Sequence, residues 1–252
     1  MEEKPKNLMR KFVLIGRNIE YSFSRDYFKK KFEKEHITDA TYQNFDISEI
    51  SRIKTLFSNG NIIGANVTIP YKEEIIPYLD SLNKHARNIG AVNTIKVSKT
   101  NKLKGYNTDY IGFKKSLKPL LESHHKKALI LGSGGASKAI AYALKKMDIP
   151  YSFVSRTKKS KDYLGYSDLD KSIMESHQII INTTPLGTFP NIASYPNIHY
   201  TALSKHHLLY DLTYNPAETK FMQLGQKQGC KTTNGLKMLE IQAEKAWKIW
   251  NS

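Results

Sequence analysis

Short apolar runs alternate with stretches of helical spacing along the whole chain. Lys11–Gly16 reads as a first strand ending in a turn, and Ser24–Lys34 as a helix with Phe28 and Phe32 one turn apart. Ala40–Phe45 predicts a second strand, and Ser48–Phe57 a helix with Ile50, Ile53, Leu56 and Phe57 on one side. Ile62–Val67 predicts a third strand, which runs into Thr68-Ile-Pro-Tyr71, where Pro70 is placed to open a helix. Val92–Val97 and Lys102–Tyr106 pair as a hairpin around Thr100-Asn101, and Asp109–Leu121 predicts a long helix bridging two domains. A second series then begins, with strands at Lys127–Leu131, Tyr151–Ser155, Ile179–Asn182 and Leu208–Leu212, and a helix at Ser137–Lys146. That β-α-β order predicts an α/β protein whose second half is a doubly wound, parallel, Rossmann-type domain. A last helix from about Gly235 to Asn251 places Leu236, Leu239, Ala243, Ala246 and Trp250 on one stripe.

Composition narrows the classes. A chain of 252 residues, 40% hydrophobic, buries a large core and suits two domains. The single cysteine, Cys230, excludes an intramolecular disulfide and fits a reducing compartment. Phe12–Ile15, the first apolar stretch, is too short for a signal peptide, and no run approaches the roughly 18–20 apolar residues of a membrane span. A soluble, cytoplasmic protein is expected. The net charge of +16 raises the question of nucleic acid, but the lysines are spread in pairs such as Lys126-Lys127, Lys145-Lys146 and Lys158-Lys159. No basic arm, zinc-ligand spacing or RNA-binding aromatic signature accompanies them, so a solvated basic surface is expected and no nucleic-acid partner.

Three clusters carry chemistry. Asn66-Val-Thr-Ile-Pro-Tyr-Lys72 and Asn107-Thr-Asp109 each follow an apolar run, and a lysine with an aspartate supplies proton transfer. Gly132-Ser-Gly-Gly-Ala-Ser137 lies between a strand and a helix, the context in which glycines let a dinucleotide pyrophosphate reach the helix N-terminus. Ser137 stands at the third glycine position of a strict fingerprint. NAD-binding domains commonly carry an acid at the end of the next strand, but here the chain reads Ser155-Arg-Thr-Lys-Lys159, with no acid until Asp162. Arg156 suits a 2′-phosphate, which points to NADP. Together these clusters predict a nicotinamide-dependent oxidoreductase acting on a small polyol or keto acid. The histidines, including His124-His125 and His206-His207, show no metal-ligand spacing, and no metal is expected. Cys230 reads as a packed small residue.

Added together, these segments resemble the shikimate dehydrogenase family from end to end. Ser22-Phe-Ser24, Asn66–Lys72, Gly90-Ala-Val-Asn-Thr94, Gly105-Tyr-Asn-Thr-Asp109 and Gly132–Ser137 match first. Ser155-Arg-Thr157, Asn182-Thr-Thr-Pro-Leu-Gly187, Asp211-Leu-Thr-Tyr-Asn-Pro216 and Asn234-Gly-Leu-Lys-Met-Leu239, leading to Gln242, follow in the same order. The resemblance implies NADPH-dependent, reversible reduction of 3-dehydroshikimate to shikimate in chorismate biosynthesis. It implies an N-terminal α/β substrate domain (1–106 with 236–252) and an NADP domain (107–235). Carried over motif by motif, Lys72 is the catalytic acid/base and Asp109 its partner. Ser22 and Ser24 form a substrate carboxylate clamp, and Thr68, Asn93, Tyr214 and Gln242 make further substrate contacts. Gly132, Ser133, Gly134, Gly135, Ala136, Ser155, Arg156, Thr157, Leu212 and Gly235 fall at cofactor-binding positions. Monomer and homodimer both remain open.

Four positions depart from the family pattern. Tyr21 and Arg25 stand where histidine and proline are usual around the paired serines, Ser155 stands for an asparagine, and Thr188 for a common methionine. Several proposed site residues also have a plainer reading: Ser22 and Ser24 as helix caps, Asn93 as a satisfier of strand-edge groups, Gln242 as a buried structural amide. Two alternatives stand beside the main reading: a quinate/shikimate dehydrogenase tolerating NAD, and a non-catalytic nucleotide-binding module on the same fold.

Overall fold

The structure, a computed structural model, describes residues 9–20, 22–58, 61–157 and 163–252. Tyr21, Lys158, Lys159 and Asp162 lie outside the described residues. The chain divides into two compact units, Met1–Thr108 with Ala243–Ser252, and Asp109–Gln242.

The first unit is built on a mixed sheet in the order β2-β1-β3-β5-β6-β4, with β1 Arg10–Gly16, β2 Ala40–Asp46, β3 Ile62–Val67, β4 Ser81–Leu82, β5 Thr94–Val97 and β6 Leu103–Tyr106. β2, β1 and β3 run parallel, while β5 is antiparallel to β3 and to β6. Strand alternation sorts the apolar run of β1 onto both faces. Val13 and Ile15 pack with Ala65, Val67 and Ile95 and with Ile53 and Leu56 of α2 (Ile53–Ser58). Phe12 and Leu14 pack on the other face with Phe28 and Phe32 of α1 (Phe23–Lys34) and with Trp247 and Trp250. The two tryptophans belong to α8 (Leu236–Trp250), whose Ala243–Trp250 segment lies in this unit. The Trp250 indole N–H donates to the Ile95 carbonyl at 2.9 Å, and its ring occupies the space a side chain on Gly64 would need. α3 (Lys84–Ile89) is capped by the Asn83 side chain and ends at Gly90 with φ 71°, a left-handed turn that suits glycine.

The second unit is an all-parallel sheet in the order β12-β11-β10-β7-β8-β9, with β7 Ala128–Leu131, β8 Tyr151–Val154, β9 Tyr163–Leu164, β10 Ile179–Asn182, β11 Leu208–Asp211 and β12 Lys231–Thr233. Counted from β7, this is the 3-2-1-4-5-6 order of dinucleotide-binding folds, with its switch point between β7 and β10. β7, β10 and β11 are buried at every position, as expected of strands covered on both faces. Ala128, Ile130, Ile179, Ile181, Leu208 and Tyr210 pack with α4 (Asp109–Leu117) and α5 (Gly135–Lys145). Leu129, Leu131, Ile180 and Leu209 pack on the opposite face with Met174 of α6 (Lys171–Ser176) and with Phe221 and Met222 of α7 (Lys220–Gln226).

Three expectations shift. Pro70 opens no α-helix: residues 69–75 form consecutive turns and end in a 3₁₀ turn at Ile76–Tyr78, because Pro77 offers no N–H and would crowd the carbonyl of Glu73 in an α-helix. The helix from Asp109 ends at Leu117, and Lys118–Leu120, containing Pro119, tightens to a 3₁₀ turn. In α8, Leu236 is exposed in the first turn, and Met238 and Ile249 take buried places beside Ala243, Ala246 and Trp250. Among the described residues no helix is long and apolar enough to cross a membrane.

Candidate active site

In the first unit, the predicted substrate residues gather where the parallel strands end. Ser22 caps α1: its Oγ accepts the Ser24 N–H at 3.2 Å, and its own N–H donates to the Ile19 carbonyl. Thr68 follows β3 and donates its N–H to Ile15 of β1, while Val67 donates to the Asn93 carbonyl. Lys72, half-buried in the turns after β3, accepts the Val92 N–H on its carbonyl at 2.7 Å. Thr68, Lys72 and Asn93 are thereby tied to neighbouring backbone.

A buried polar chain runs behind them. The Ser24 hydroxyl lies in hydrogen-bonding reach of Tyr42, whose phenol donates to Asn66 Oδ1 at 2.8 Å. Asn66 Nδ2 donates to the Asn93 carbonyl at 3.2 Å, and Asn93 Oδ1 accepts the Thr108 N–H at 2.7 Å. Asn93 Nδ2 donates to the Thr108 hydroxyl at 2.9 Å. The Asn93 side chain is therefore engaged within the protein and braces the residue that precedes Asp109. Burial drives the Tyr42 hydroxyl far above its ordinary pKa, so it stays protonated and acts as a donor. Tyr42 was not singled out from sequence: strand alternation places it inward but says nothing of a partner on another strand. A groove of about 790 Å³ between α1 and the edge strand β2, lined by Arg25, Lys29, Glu33 and Gln43 among others, contains none of the predicted site residues.

In the second unit, Asp109 is buried at the first position of α4, where the helix dipole favours a carboxylate. Gln242 of α8 lies close to that helix: a Cβ on Gly112 would sit 2.5 Å from the Met238 carbonyl and 3.2 Å from the Gln242 Cβ. Tyr214 is half-buried in the loop after β11.

The predicted cofactor residues line the C-terminal edge of the parallel sheet. Gly132 has φ 115°, and a Cβ there would stand 2.6 Å from Thr183 Oγ1, which is held by its bond to the Leu131 carbonyl at 2.7 Å. Gly134 caps α5 with an ordinary φ of −88°, and among the described residues no atom beyond its chain neighbours lies within 4 Å of the place its Cβ would take. Packing in this unit does not require a glycine at that position, whereas a pyrophosphate approaching the α5 N-terminus would. Ser133 and Gly135 are half-buried with Ala136 in the same turn. Ser137, at the third glycine position, donates its hydroxyl to the Gly134 carbonyl at 2.7 Å, so the extra polar group is satisfied. Ser155 follows β8 and donates to the Ser133 hydroxyl at 3.5 Å, and Arg156 and Thr157 are exposed beside it. The Leu212 N–H donates to Asn182 at 3.0 Å, and the Leu212 carbonyl sits where a side chain on Gly235 would be. This set of small residues at a helix N-terminus, with one exposed arginine beside it, fits a dinucleotide carrying a 2′-phosphate.

One further group underlies that edge. Asp211, fully buried at the end of β11, accepts from Asn182 Nδ2 at 3.1 Å, the Thr213 N–H at 2.9 Å and the Thr219 hydroxyl at 2.6 Å. Burial raises its carboxyl pKa, against the opposing pull of these donors. Among the described residues no cluster of three or more histidine, cysteine, aspartate or glutamate side chains could hold a metal ion.

Comparison with known proteins places the chain. The family model described as the shikimate dehydrogenase substrate binding domain matches residues 14–95. The shikimate dehydrogenase (NADP(+)) of Caldicellulosiruptor saccharolyticus is 38% identical over 96% of this chain and 92% of its own. The crystal structure of shikimate dehydrogenase 1 from Peptoclostridium difficile superposes with a TM-score of 0.86 at 39% identity, covering 96% of this chain and 92% of the other. The Thermus thermophilus enzyme, solved in complex with NADP(H) and shikimate, gives a TM-score of 0.84 at 26% identity over 96% and 93%. With such similarity running through both units, the chain belongs to the shikimate dehydrogenase family.

Proposed function

We propose that this protein reversibly reduces 3-dehydroshikimate to shikimate with NADPH, on the route to chorismate and the aromatic amino acids. The observation that carries this reading is the kinship to NADP(+)-dependent shikimate dehydrogenases over 96% of the chain. Cofactor choice has independent support in the exposed Arg156 after β8, where an acid would favour NAD.

The hydride comes from NADPH when it is bound. Lys72 gives a proton to the carbonyl oxygen as negative charge develops there, and takes it back in the reverse direction. Asp109 is its carboxylate partner. The hydroxyls of Ser22 and Ser24 hold the substrate carboxylate, with Thr68, Asn93, Tyr214 and Gln242 as further contacts. Tyr42 and Asn66 support that array from behind, fixing the Ser24 hydroxyl and the Asn93 backbone. Gly132–Ala136 with the α5 N-terminus bind the pyrophosphate, Ser155–Thr157 the 2′-phosphate side, and Leu212 with Gly235 the remaining cofactor edge. The first unit acts as the substrate domain and the second as the NADP domain, in a soluble cytoplasmic enzyme.

The test follows NADPH absorbance with 3-dehydroshikimate, repeated with NADH, and in reverse with shikimate or quinate. NADPH oxidation that Lys72→Ala abolishes supports the reading. A folded protein that binds NADPH and turns over none of these pairs refutes it.

A further inference from the structure

Asp211 is a buried ionisable group that the proposed chemistry does not use. Its two oxygens take three donors from three different places: Asn182 at the end of β10, the Thr213 backbone just past β11, and Thr219, the N-cap of α7. The connections continue outward. Asn182 Oδ1 accepts the Thr184 N–H at 3.0 Å and the Thr184 hydroxyl at 2.6 Å, which shapes the Thr183–Gly187 loop. The Thr213 carbonyl accepts the Gly235 N–H at 3.0 Å, which sets the entry to α8. One carboxylate thus ties together the loops after β10, β11 and β12 at the C-terminal edge of the sheet.

We infer that Asp211 is a positioning residue for the cofactor: its hydrogen bonds hold Leu212, Gly235 and the Thr183–Gly187 loop in the arrangement that receives the dinucleotide. This rests on the cofactor roles proposed above for Leu212, Gly235 and Gly132, the last of which Thr183 backs directly. The feature that does the positioning is the pattern of acceptors. An asparagine keeps Oδ1 for Thr213 and Asn182, and its amide can donate to the Thr219 oxygen after that hydroxyl rotates. An alanine leaves three buried donors without an acceptor.

The experiment measures NADPH affinity by fluorescence on the intact chain. Asp211→Ala and Thr219→Val are expected to weaken binding roughly tenfold or more, the scale of losing a charge-assisted hydrogen bond that shapes a site. Asp211→Asn is expected to recover affinity to within about threefold, because it restores the pattern without the charge. Leu129→Ala, a core truncation elsewhere in the same sheet, serves as the control: it lowers thermal stability and leaves NADPH affinity in place. Wild-type affinity in both Asp211→Ala and Thr219→Val overturns the inference. So does an asparagine variant as weak as the alanine variant, or a Leu129→Ala protein that loses NADPH equally. If Asp211→Ala does not fold, Thr219→Val, which removes a single hydroxyl, decides. A wild-type protein that itself fails to bind NADPH instead removes the cofactor reading, a separate result.

Discussion

Two glycines two residues apart, Gly132 and Gly134, are expected to respond to alanine in opposite ways. At Gly132 the backbone sits at φ 115°, which costs an L-residue about 1–3 kcal/mol. The added methyl would also meet Thr183 Oγ1 at 2.6 Å, and rotating that hydroxyl away forfeits its bond to the Leu131 carbonyl. A hydrogen bond of this kind contributes about 1 kcal/mol, so Gly132→Ala is expected to destabilise the fold by about 2–4 kcal/mol. At Gly134 the dihedrals of −88° and −176° suit alanine, and its methyl would meet no atom of the described residues beyond its chain neighbours. The poorer N-cap and the stiffer unfolded chain roughly cancel, leaving stability within about 0.5 kcal/mol of wild type. That methyl stands where a pyrophosphate would approach α5, so Gly134→Ala is expected to weaken NADPH binding more than tenfold, or about 1.4 kcal/mol. Urea unfolding and NADPH fluorescence titration on both variants separate the effects. A Gly132→Ala protein within about 0.5 kcal/mol of wild type would refute the steric argument (a difference of that size is ordinary for a surface change). Unchanged NADPH affinity in Gly134→Ala would refute the cofactor argument.

Other expectations are simpler to check. Lys72→Ala and Asp109→Ala should each lower turnover by about 10²–10⁴-fold with the circular dichroism spectrum kept, as for a lost proton-transfer group, and near-wild-type turnover in both would remove the catalytic assignment. Lys31, 8% exposed, bonds Glu35 at 2.6 Å and Glu244 of α8 at 2.9 Å; because both acids are well solvated, Lys31→Met should cost only about 1–2 kcal/mol in urea unfolding. Burial holds His125 and His177 below the ordinary histidine pKa. The unfolded chain therefore binds their protons first: the stability they contribute is full above about pH 6.5 and falls as pH drops toward their folded pKa values, by at most about 1.4 kcal/mol per pH unit for each. Urea midpoints at about pH 7.5, 6 and 5 test this, and a flat profile would contradict it.

The central buried strands were readable because strands covered on both faces read as unbroken apolar runs, as in Ala128–Leu131 and in Ile179, Ile180 and Ile181. The short β4, β9 and β12 escaped because a strand of two or three mixed residues at a sheet edge has no periodicity to read. α7 was missed although Thr219 announces its start, since a run of seven residues carries barely two turns of pattern. In the site, the glycine turn and Arg156 stood out through local context. The Tyr42–Asn66 bond and the Asp211–Asn182 bond join positions 24 and 29 residues apart, and only the parallel register of the strands brings such pairs together.

The seating of Trp247 and Trp250 on the first sheet has a consequence for how the protein is made. Phe12, Phe28 and Phe32 are translated well before α8, yet the aromatic rings that cover them come from its last turns. During synthesis that face of the first sheet waits uncovered while the central strands of the second unit, β7, β8, β10 and β11, have already been made. Vectorial translation therefore lets the central strands of the second sheet assemble before the first unit's aromatic face is covered, and the nascent chain presents a sticky aromatic surface until α8 has left the ribosome.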